Sequence, residues 1–412
     1  MAIAAETSAA VTVPRWRGGY GRLWSAAVLS RFGDALRNVA LPVVAAGLTT
    51  SPLALSLVSA AGFLPWLFFG LLSGALADRL DRRRAMWVVD AVRGALVGLF
   101  ALALVLGYAH LALLAALAFA LTTLQTLFDN AATAILPTLV PRAALPSANA
   151  RLMTGQALAG TFLGAPVAGL LVAAVAPVPF AINAATYLVG AALIASLPRT
   201  TTTASGPVPA PGRAAGSTLR AEIADGLRRL WGDHLLRAIC VANLLGNLVI
   251  GGLTALMVLI ITRWAGASDV VYGLVMAAYG AGATVGGLVA ARVGRWVGGV
   301  RALVIALTTQ TGCLAVIGSV PHPATTAAAL GVFGVAGMIV NVHDVTLTQQ
   351  RVPVDMLGRV SAASRTAGIV GAPAGAVLAG VLAQATDVNV PALAGAGVMA
   401  LAAVAVVRGG RA

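Results

Sequence analysis

The sequence predicts an all-α membrane protein with twelve transmembrane helices, arranged as two pseudo-symmetric six-helix bundles. Three observations predict this fold class: the composition, the succession of apolar runs and the distribution of arginine. Of the 412 residues, 59% are hydrophobic and only 10% are charged, whereas a soluble domain carries about 25% charged residues. This composition excludes an ordinary water-soluble enzyme, an intrinsically disordered chain and a nucleic-acid-binding module.

Twelve apolar runs follow one another along the chain, separated by Gly, Pro or charged residues. A helix needs about 20 apolar residues to cross the hydrocarbon core of a bilayer, and a helix with a longer run can tilt. The runs are continuous rather than alternating, which excludes a transmembrane β-barrel. In chain order, the predicted spans are 23–48, 54–77, 85–107, 110–136, 150–175, 178–197, 235–262, 270–292, 300–320, 324–349, 359–384 and 390–408.

The segments outside the spans complete the predicted domain organisation. It consists of an N-terminal tail (1–22), a first bundle (23–197), a linker (198–234), a second bundle (235–408) and a C-terminal tail (409–412). The first tail lacks an apolar core, so no removable signal peptide is expected. Within the linker, the apolar residues of Leu219–Trp231 recur at helical spacing between arginines. This pattern predicts an amphipathic helix on the membrane surface, with a merely solvated helix as the alternative.

The positions of arginine predict the orientation of the spans. All 27 basic residues are arginine. Arg31, Arg37 and Arg93 lie deep within spans, and Arg263 lies in a loop on one side. Every other arginine falls in the loops and tails of the other side or near the span ends that face it. Because short cytoplasmic loops are enriched in Lys and Arg, both termini are expected in the cytoplasm. A bacterial inner membrane is the expected location.

The two predicted bundles are related by an internal repeat. The sequence Gly-Ala-Leu-Ala-Asp-Arg-Leu-Asp-Arg (74–82) follows span 2, and Gly-Leu-Val-Ala-Ala-Arg-Val-Gly-Arg (287–295) follows span 8. A second pair precedes spans 5 and 11, at 140–145 and 352–357, with nearly the same separation. Repeated halves that rock around a site at the membrane midplane are how many secondary transporters are built.

The stretch from Gly74 to Arg84 resembles the loop signature of the major facilitator superfamily between spans 2 and 3. Further stretches resemble the macrolide-efflux and enterobactin-exporter branch of that superfamily: Arg31-Phe-Gly-Asp34, Val39-Ala-Leu-Pro42, Phe128-Asp129, Leu136–Pro141, Leu145–Asn149 and Leu357–Val360. The sequence departs from the branch at Asn130, where proline is usual, and at Ala291, which stands opposite Asp78. The resemblance implies the major facilitator fold, with a cavity lined by spans 1, 4, 7 and 10.

The loop signature also predicts a conformational latch made of Gly74, Asp78, Arg79 and Arg82. Gly74 permits close helix packing. Asp78 can accept hydrogen bonds from a helix N-terminus, where the helix dipole favours an anion; by resemblance, that helix is span 11. For the arginines, the alternative is that they only set the topology.

Charged residues inside spans are the candidates for coupling transport to protons. An unpaired charge at the bilayer centre costs roughly 2.5–3.5 kcal/mol on insertion scales, so such residues need a partner or a watery cavity. Asp34 can pair with Arg31 or Arg37 on nearby faces of span 1, and Asp129 shares a face of span 4 with Gln125. A carboxylate that alternates between two environments can take up a proton in one and release it in the other. The alternative for Asp34 is a permanent ion pair that holds helices together.

Other polar residues fall on spans that the resemblance assigns to the cavity. The candidate cavity residues are Gln125, Asn243, Asn247, Asn341, His343 and Asp344. In span 3, the spacing of Asp90 and Arg93 indicates a structural pair. The sequence contains no phosphate-binding loop and no His-Glu-x-x-His or Cys-x-x-Cys motif. We therefore expect no cofactor, no metal and no enzymatic activity.

These features predict a secondary transporter that exports a small amphipathic or hydrophobic compound in exchange for protons. The branch resemblance suggests an antibiotic (a macrolide, for example), another drug, a siderophore or a secondary metabolite as cargo. Two alternatives stay open: a proton-coupled importer of a small nutrient, and a non-transporting membrane partner protein. The expected partners are the cargo, protons and the lipid bilayer, without nucleic acid, and a monomer suffices for this fold.

Overall fold

The chain folds into twelve long helices in a computed structural model that describes residues 18–77, 81–141, 144–197, 228 and 231–411. In chain order they are α1 (Gly19–Leu48), α2 (Pro52–Ala77), α3 (Arg82–Val105), α4 (Leu111–Leu139), α5 (Leu145–Ala157, continued by a π-helical turn at Leu158–Gly164 and by Ala165–Ala174), α6 (Val178–Ala195), α7 (His234–Leu259, continued by a π-helical turn at Ile260–Trp264), α8 (Asp269–Val297), α9 (Gly299–Ser319), α10 (Pro323–Arg351), α11 (Val354–Ala385) and α12 (Val390–Arg411). One helix coincides with each predicted span, which confirms the predicted fold class.

Within the described part of the chain, eleven helices are long and apolar enough to cross a membrane. The remaining helix, α1, has sufficient length but carries Arg31, Asp34 and Arg37 within two turns. Charges at membrane depth are costly unless they are paired. The charged residues of α1 therefore need partners on neighbouring helices, and those partners lie at the candidate site described below.

The helices form two bundles of six, and the packing of the first bundle recurs in the second. In the first bundle α1 packs on α5, α2 on α4 and α3 on α6; in the second, α7 packs on α11, α8 on α10 and α9 on α12. The bundles meet where α2 lies against α11 and α5 lies against α8. Exchanging the two halves converts one of these interfaces into the other, so the sequence repeat corresponds to a pseudo-twofold relation in the structure.

Small residues allow the helix backbones of the second bundle to approach closely. A side-chain carbon on Gly375 of α11 would overlap the carbonyl oxygen of Leu248 on α7. A side-chain carbon on Gly282 of α8 would overlap the carbonyl oxygen of Gly331 on α10. Because lipid provides no hydrophobic drive for helix association, close backbone contact of this kind is a main source of stability between membrane helices.

Contacts near the helix ends define two faces of the molecule. On one face, the hydroxyl of Tyr20 at the start of α1 donates to the carbonyl oxygen of Ala148 in α5 at 2.9 Å, and Gly409 of α12 packs on His234 at the start of α7. This face, which holds the start of α1 and the end of α12, is termed the terminal face. On the other, termed the opposite face, Arg263 of α7 donates to a backbone carbonyl of the α1–α2 loop at 2.8 Å.

The two bundles are joined at the opposite face. Gly273 of α8 lies so close to α5 that a side-chain carbon there would be 2.7 Å from the Cα of Gly169. At the second interface, the hydroxyl of Ser51 donates to Oε1 of Gln384 at 2.9 Å. These contacts hold α5 against α8 and α2 against α11 on that side of the molecule.

Asp233 caps α7 at the terminal face and links it to α10. Its Oδ1 accepts hydrogen bonds from the backbone N–H groups of Leu235 at 2.9 Å and Leu236 at 3.1 Å, and Arg351 lies 3.2 Å from Oδ2. Partial burial tends to raise the pKa of Asp233. The hydrogen bonds and the Arg351 charge outweigh burial and hold this pKa below its ordinary value.

We expect Asp233→Ala to lower the free energy of unfolding by about 1 kcal/mol at neutral pH, because α7 loses its cap. The stabilisation is complete above the carboxyl's pKa in the unfolded chain, about 4, and is lost as the pH falls through the lower pKa of the folded chain. Unfolding in detergent micelles, followed by tryptophan fluorescence at pH 7 and pH 3, should show a smaller difference between the two proteins at pH 3. Asp387→Ala, at an exposed turn, is the control; an equal difference at both pH values contradicts the expectation.

Candidate functional site

A group of polar side chains lies inside the first bundle and is termed the buried charge cluster. It comprises Asp34 of α1, Asp90 and Arg93 of α3, Gln125 and Asp129 of α4, and Tyr187 of α6. Arg93 is at its centre and is only 1% exposed. Its guanidinium donates to Asp90 at 3.1 Å and to Asp34 at 3.3 Å, and it also donates to Gln125 and Tyr187. A single guanidinium thereby connects four helices.

Asp34 is the residue through which α1 joins this cluster. It is 7% exposed, accepts hydrogen bonds from the Tyr187 hydroxyl and from Arg93, and lies 3.6 Å from Arg37. The sequence suggested Arg31 or Arg37 as the partner of Asp34, and the structure adds Arg93 from a different helix. Two guanidinium groups and a hydroxyl compensate the carboxylate, so α1 can carry this charge at membrane depth.

Asp129 is connected to the same cluster through Gln125. The amide Nε2 of Gln125 donates to Asp129 at 2.6 Å, while its Oε1 accepts from Arg93. The four-residue spacing of Gln125 and Asp129 predicted that they share a helix face. Because one amide contacts both Asp129 and the guanidinium that holds Asp34, a change of charge at either carboxylate alters the hydrogen bonding of the other.

Arg31 and Arg37, which the sequence grouped with Asp34, point in different directions. Arg31 is exposed, and its side chain lies against Gly160 in the π-helical turn of α5. Arg37 lines a cavity between the bundles and donates to Oδ1 of Asn38 at 2.9 Å. The structure therefore brings Arg37, and not Arg31, to Asp34.

The cavity between the bundles has a volume of about 390 Å³ and is termed the central cavity. Helices α1, α2 and α4 of the first bundle and α7, α8 and α10 of the second supply its walls. Its lining is largely apolar and aromatic, with Phe63, Met257 and Tyr279 as examples, and Arg37 is its charged member among the described residues. A cavity of this size and character suits a small amphipathic organic molecule.

A second cavity, of about 220 Å³, lies within the second bundle and is termed the C-half cavity. Asn243 and Asn247 of α7, Gln310 of α9, and Asn341 and Asp344 of α10 line it. Asn243 donates to Asp344 at 3.1 Å, and Asn247 donates to the side-chain oxygen of Asn243 at 2.7 Å. Four of the residues that the sequence proposed for the cavity therefore meet here.

His343, which the sequence also proposed for the cavity, lies elsewhere. It is 5% exposed, its Nδ1 is 2.9 Å from the carbonyl oxygen of Ile339, and its ring lies against Gly294 of α8. Successive residues of a helix point about 100° apart, so a helix that turns Asp344 toward the cavity turns His343 away from it. The structure places His343 in the interface of α8 and α10.

The predicted latch lies largely outside the described residues. Asp78 and Arg79 fall in the gap at 78–80. Gly74 and Arg82 belong to the end of α2 and the start of α3, and their side chains are outside the described part of the structure. Residues 198–227, which include most of the predicted amphipathic linker helix, are likewise outside it.

Sequence reasoning does not single out Tyr187 or Gln310 and gives Arg93 only a local role. The predicted pairing of Arg93 with Asp90 is observed at 3.1 Å, but the contacts of Arg93 with α1, α4 and α6 depend on tertiary packing. The available signal was weak: one polar side chain within an otherwise apolar span, which at membrane depth indicates a buried partner or a cavity.

Twelve helices in two repeated bundles, with a cavity between them and charged residues buried beside it, define a membrane transporter of the major facilitator type. The sequence matches the family described as transmembrane secretion effector over residues 12–410, and the chain belongs to that family. None of the curated proteins matches the sequence.

Solved transporter structures share the fold. The nucleoside transporter NupG has a TM-score of 0.73 and 13% identity, with 96% of this chain and 99% of NupG covered. A bacterial homologue of the iron transporter ferroportin, in the inward-facing state, has a TM-score of 0.75 and 14% identity, with 95% and 98% covered. A bacterial homologue of the human lysosomal transporter Spinster, inward-facing and unoccupied, has a TM-score of 0.71 and 14% identity, with 95% and 96% covered. Identities this low show a common fold alone.

Proposed function

We propose that the chain is a proton-coupled exporter that moves a small amphipathic or hydrophobic compound across a bacterial inner membrane by alternating access. The observation that carries this proposal is the position of Arg37, which lies 3.6 Å from Asp34 and also lines the central cavity. The charge state of Asp34 and the occupancy of the cavity therefore act on the same guanidinium.

Asp34 and Asp129 are the proposed proton-carrying groups. An ionised Asp34 attracts both Arg37 and Arg93, and protonation weakens both attractions. A proton shifts the balance between two conformations only if one of them binds it more tightly. Asp34 contacts residues of α3 and α6. A movement of α1 relative to these helices would therefore change the environment of Asp34 and its affinity for a proton.

The arginine distribution supports placing the terminal face in the cytoplasm, with both termini inside. In that orientation the contacts at Gly169–Gly273 and Ser51–Gln384 close the outward side. The proposed latch of Gly74, Asp78, Arg79 and Arg82 acts on the cytoplasmic side in the other state. A single chain contains the whole central cavity, which supports a monomer as the working unit.

Proteoliposomes with an acidic interior provide the test, because proton efflux then drives cargo uptake by an exporter of this kind. Ethidium, a macrolide and a catecholate siderophore serve as probes. We expect the gradient to drive accumulation of at least one probe and each addition of that probe to release protons. Asp34→Asn should reduce gradient-driven accumulation by about 5- to 150-fold, the range that typical coupling free energies produce.

Asp387→Asn, at an exposed turn, is the matched control and should accumulate the probe like the wild type. Accumulation driven only by the reverse gradient would identify an importer. Failure of all three probes to move with protons would favour a non-transporting membrane partner. Wild-type accumulation by Asp34→Asn would remove Asp34 from the coupling mechanism.

A further inference from the structure

Asp344 differs from Asp34 and Asp90 of the first bundle in its charge compensation. Asp34 and Asp90 both pair with Arg93. Among the described residues, Asp344 has no basic partner, and its side chain accepts a hydrogen bond from Asn243 at 3.1 Å. Since an isolated negative charge is unfavourable at membrane depth, a proton or a positively charged group stabilises Asp344.

Gln310 gives a second and independent indication of a ligand. It is 3% exposed, lines the C-half cavity, and makes no hydrogen bond to any residue that the structure describes. Its amide atoms are not among the fully buried polar atoms that lack a partner, and the residue borders the cavity. A ligand in the cavity can therefore form a hydrogen bond with this amide.

The C-half cavity adjoins the central cavity. Ile250 and Phe333 line both of them, so these two side chains form the boundary that an elongated molecule has to cross to place its head in one cavity and its body in the other. The ring of Phe333 lies with its centroid 6.5 Å from that of Tyr279, which also lines the central cavity. Aromatic rings attract cations, so the boundary between the cavities favours a positively charged group over a negative one.

The chemistry of the lining favours a cation with N–H groups as a ligand. Asp344 supplies a carboxylate, and Gln310 and Asn341 supply amide oxygens, all of which accept hydrogen bonds. We propose that the C-half cavity binds the protonated amine of the cargo, with Asp344 as its counter-ion, while an apolar body occupies the central cavity. This proposal rests on the proposed transport function and specifies the chemical class of its cargo: an amphipathic organic amine.

Two dansyl probes that differ in a single charged group test this site. Dansylcadaverine carries a primary ammonium, and N-pentyl dansylamide is its neutral analogue. Binding to the full-length protein in lipid nanodiscs is followed without any gradient, by energy transfer from tryptophan to dansyl. We expect the wild type to prefer the ammonium probe. Asp344→Asn should weaken binding of the ammonium probe at least about tenfold and leave the neutral probe unchanged.

Gln310→Met serves as a second variant and should weaken the ammonium probe by a smaller factor. Asp387→Asn is the control and should bind both probes like the wild type. Equal affinity of the wild type for both probes, or equal weakening of both by Asp344→Asn, would overturn the proposal. Binding is measured without a gradient, so a negative binding result does not argue against proton-coupled export. Likewise, a negative result for Asp34→Asn in the transport assay does not argue against the amine site.

Discussion

Replacing Arg93 with methionine is expected to lower the free energy of unfolding by about 3–5 kcal/mol, the usual cost of breaking a buried ion pair. The substitution leaves Asp34 and Asp90 buried without the guanidinium that lies 3.3 Å and 3.1 Å from them. It also removes the cation–π contact with Tyr187, whose ring centroid is 4.1 Å from the guanidinium carbon. Methionine is long and flexible and fills much of the vacated space. The decrease in the free energy of unfolding is therefore due to the lost charge and not to a cavity.

Equilibrium unfolding in detergent micelles measures this effect. Arg263→Met, at an exposed arginine on the opposite face, is the matched control and should change the free energy by less than about 1 kcal/mol. Adding Asp34→Asn and Asp90→Asn to Arg93→Met should recover most of the loss, because no carboxylate then stays buried without a partner. A stability for Arg93→Met within about 1 kcal/mol of the wild type would contradict the central position of Arg93.

The twelve helices could be predicted because a bilayer imposes a length and a composition on each span. The two-bundle organisation could be predicted because similar sequences recur at 74–82 and 287–295, at equivalent places in the two halves of the chain. The i, i+3 pair of Asp90 and Arg93 and the i, i+4 pair of Gln125 and Asp129 could also be predicted, since helix geometry alone brings such residues together.

The arrangement of the site between helices could not be predicted in the same way. The rotation of α1 decides that Arg37 faces Asp34 and the central cavity while Arg31 lies against Gly160. The rotation of α10 decides that Asp344 enters the C-half cavity while His343 packs on α8. Both rotations are set by packing against other helices, and small residues such as Gly294 determine where that packing is close.

Joining the bundles covalently at the opposite face is expected to abolish exchange between the two proposed states of the transporter. Ser51 and Gln384 lie on different bundles, with hydroxyl and amide oxygen 2.9 Å apart. Cysteines at these two positions, in a chain whose Cys240 and Cys313 are replaced by alanine, can be joined by oxidation or by a short thiol cross-linker. Opening of the opposite face requires α2 to separate from α11, so the cross-link holds the central cavity closed on that side.

Thiol labelling tests the alternation of the two bundles most directly. The residue at position 59, which lines the central cavity, is changed from serine to cysteine. A membrane-impermeant maleimide is added at the opposite face, and the rate at which it labels this cysteine is measured. Labelling is counted at residue 59 alone, because the thiols at 51 and 384 react with the maleimide themselves until they are joined. Before cross-linking, we expect labelling of residue 59, because the opposite face opens in one of the two proposed states. After cross-linking, labelling of residue 59 should become undetectable, and cleavage of the cross-link should restore it. Chains with Ser59→Cys and only one of Ser51→Cys and Gln384→Cys should label normally at residue 59. Labelling that is equally fast before and after complete cross-linking would contradict the account.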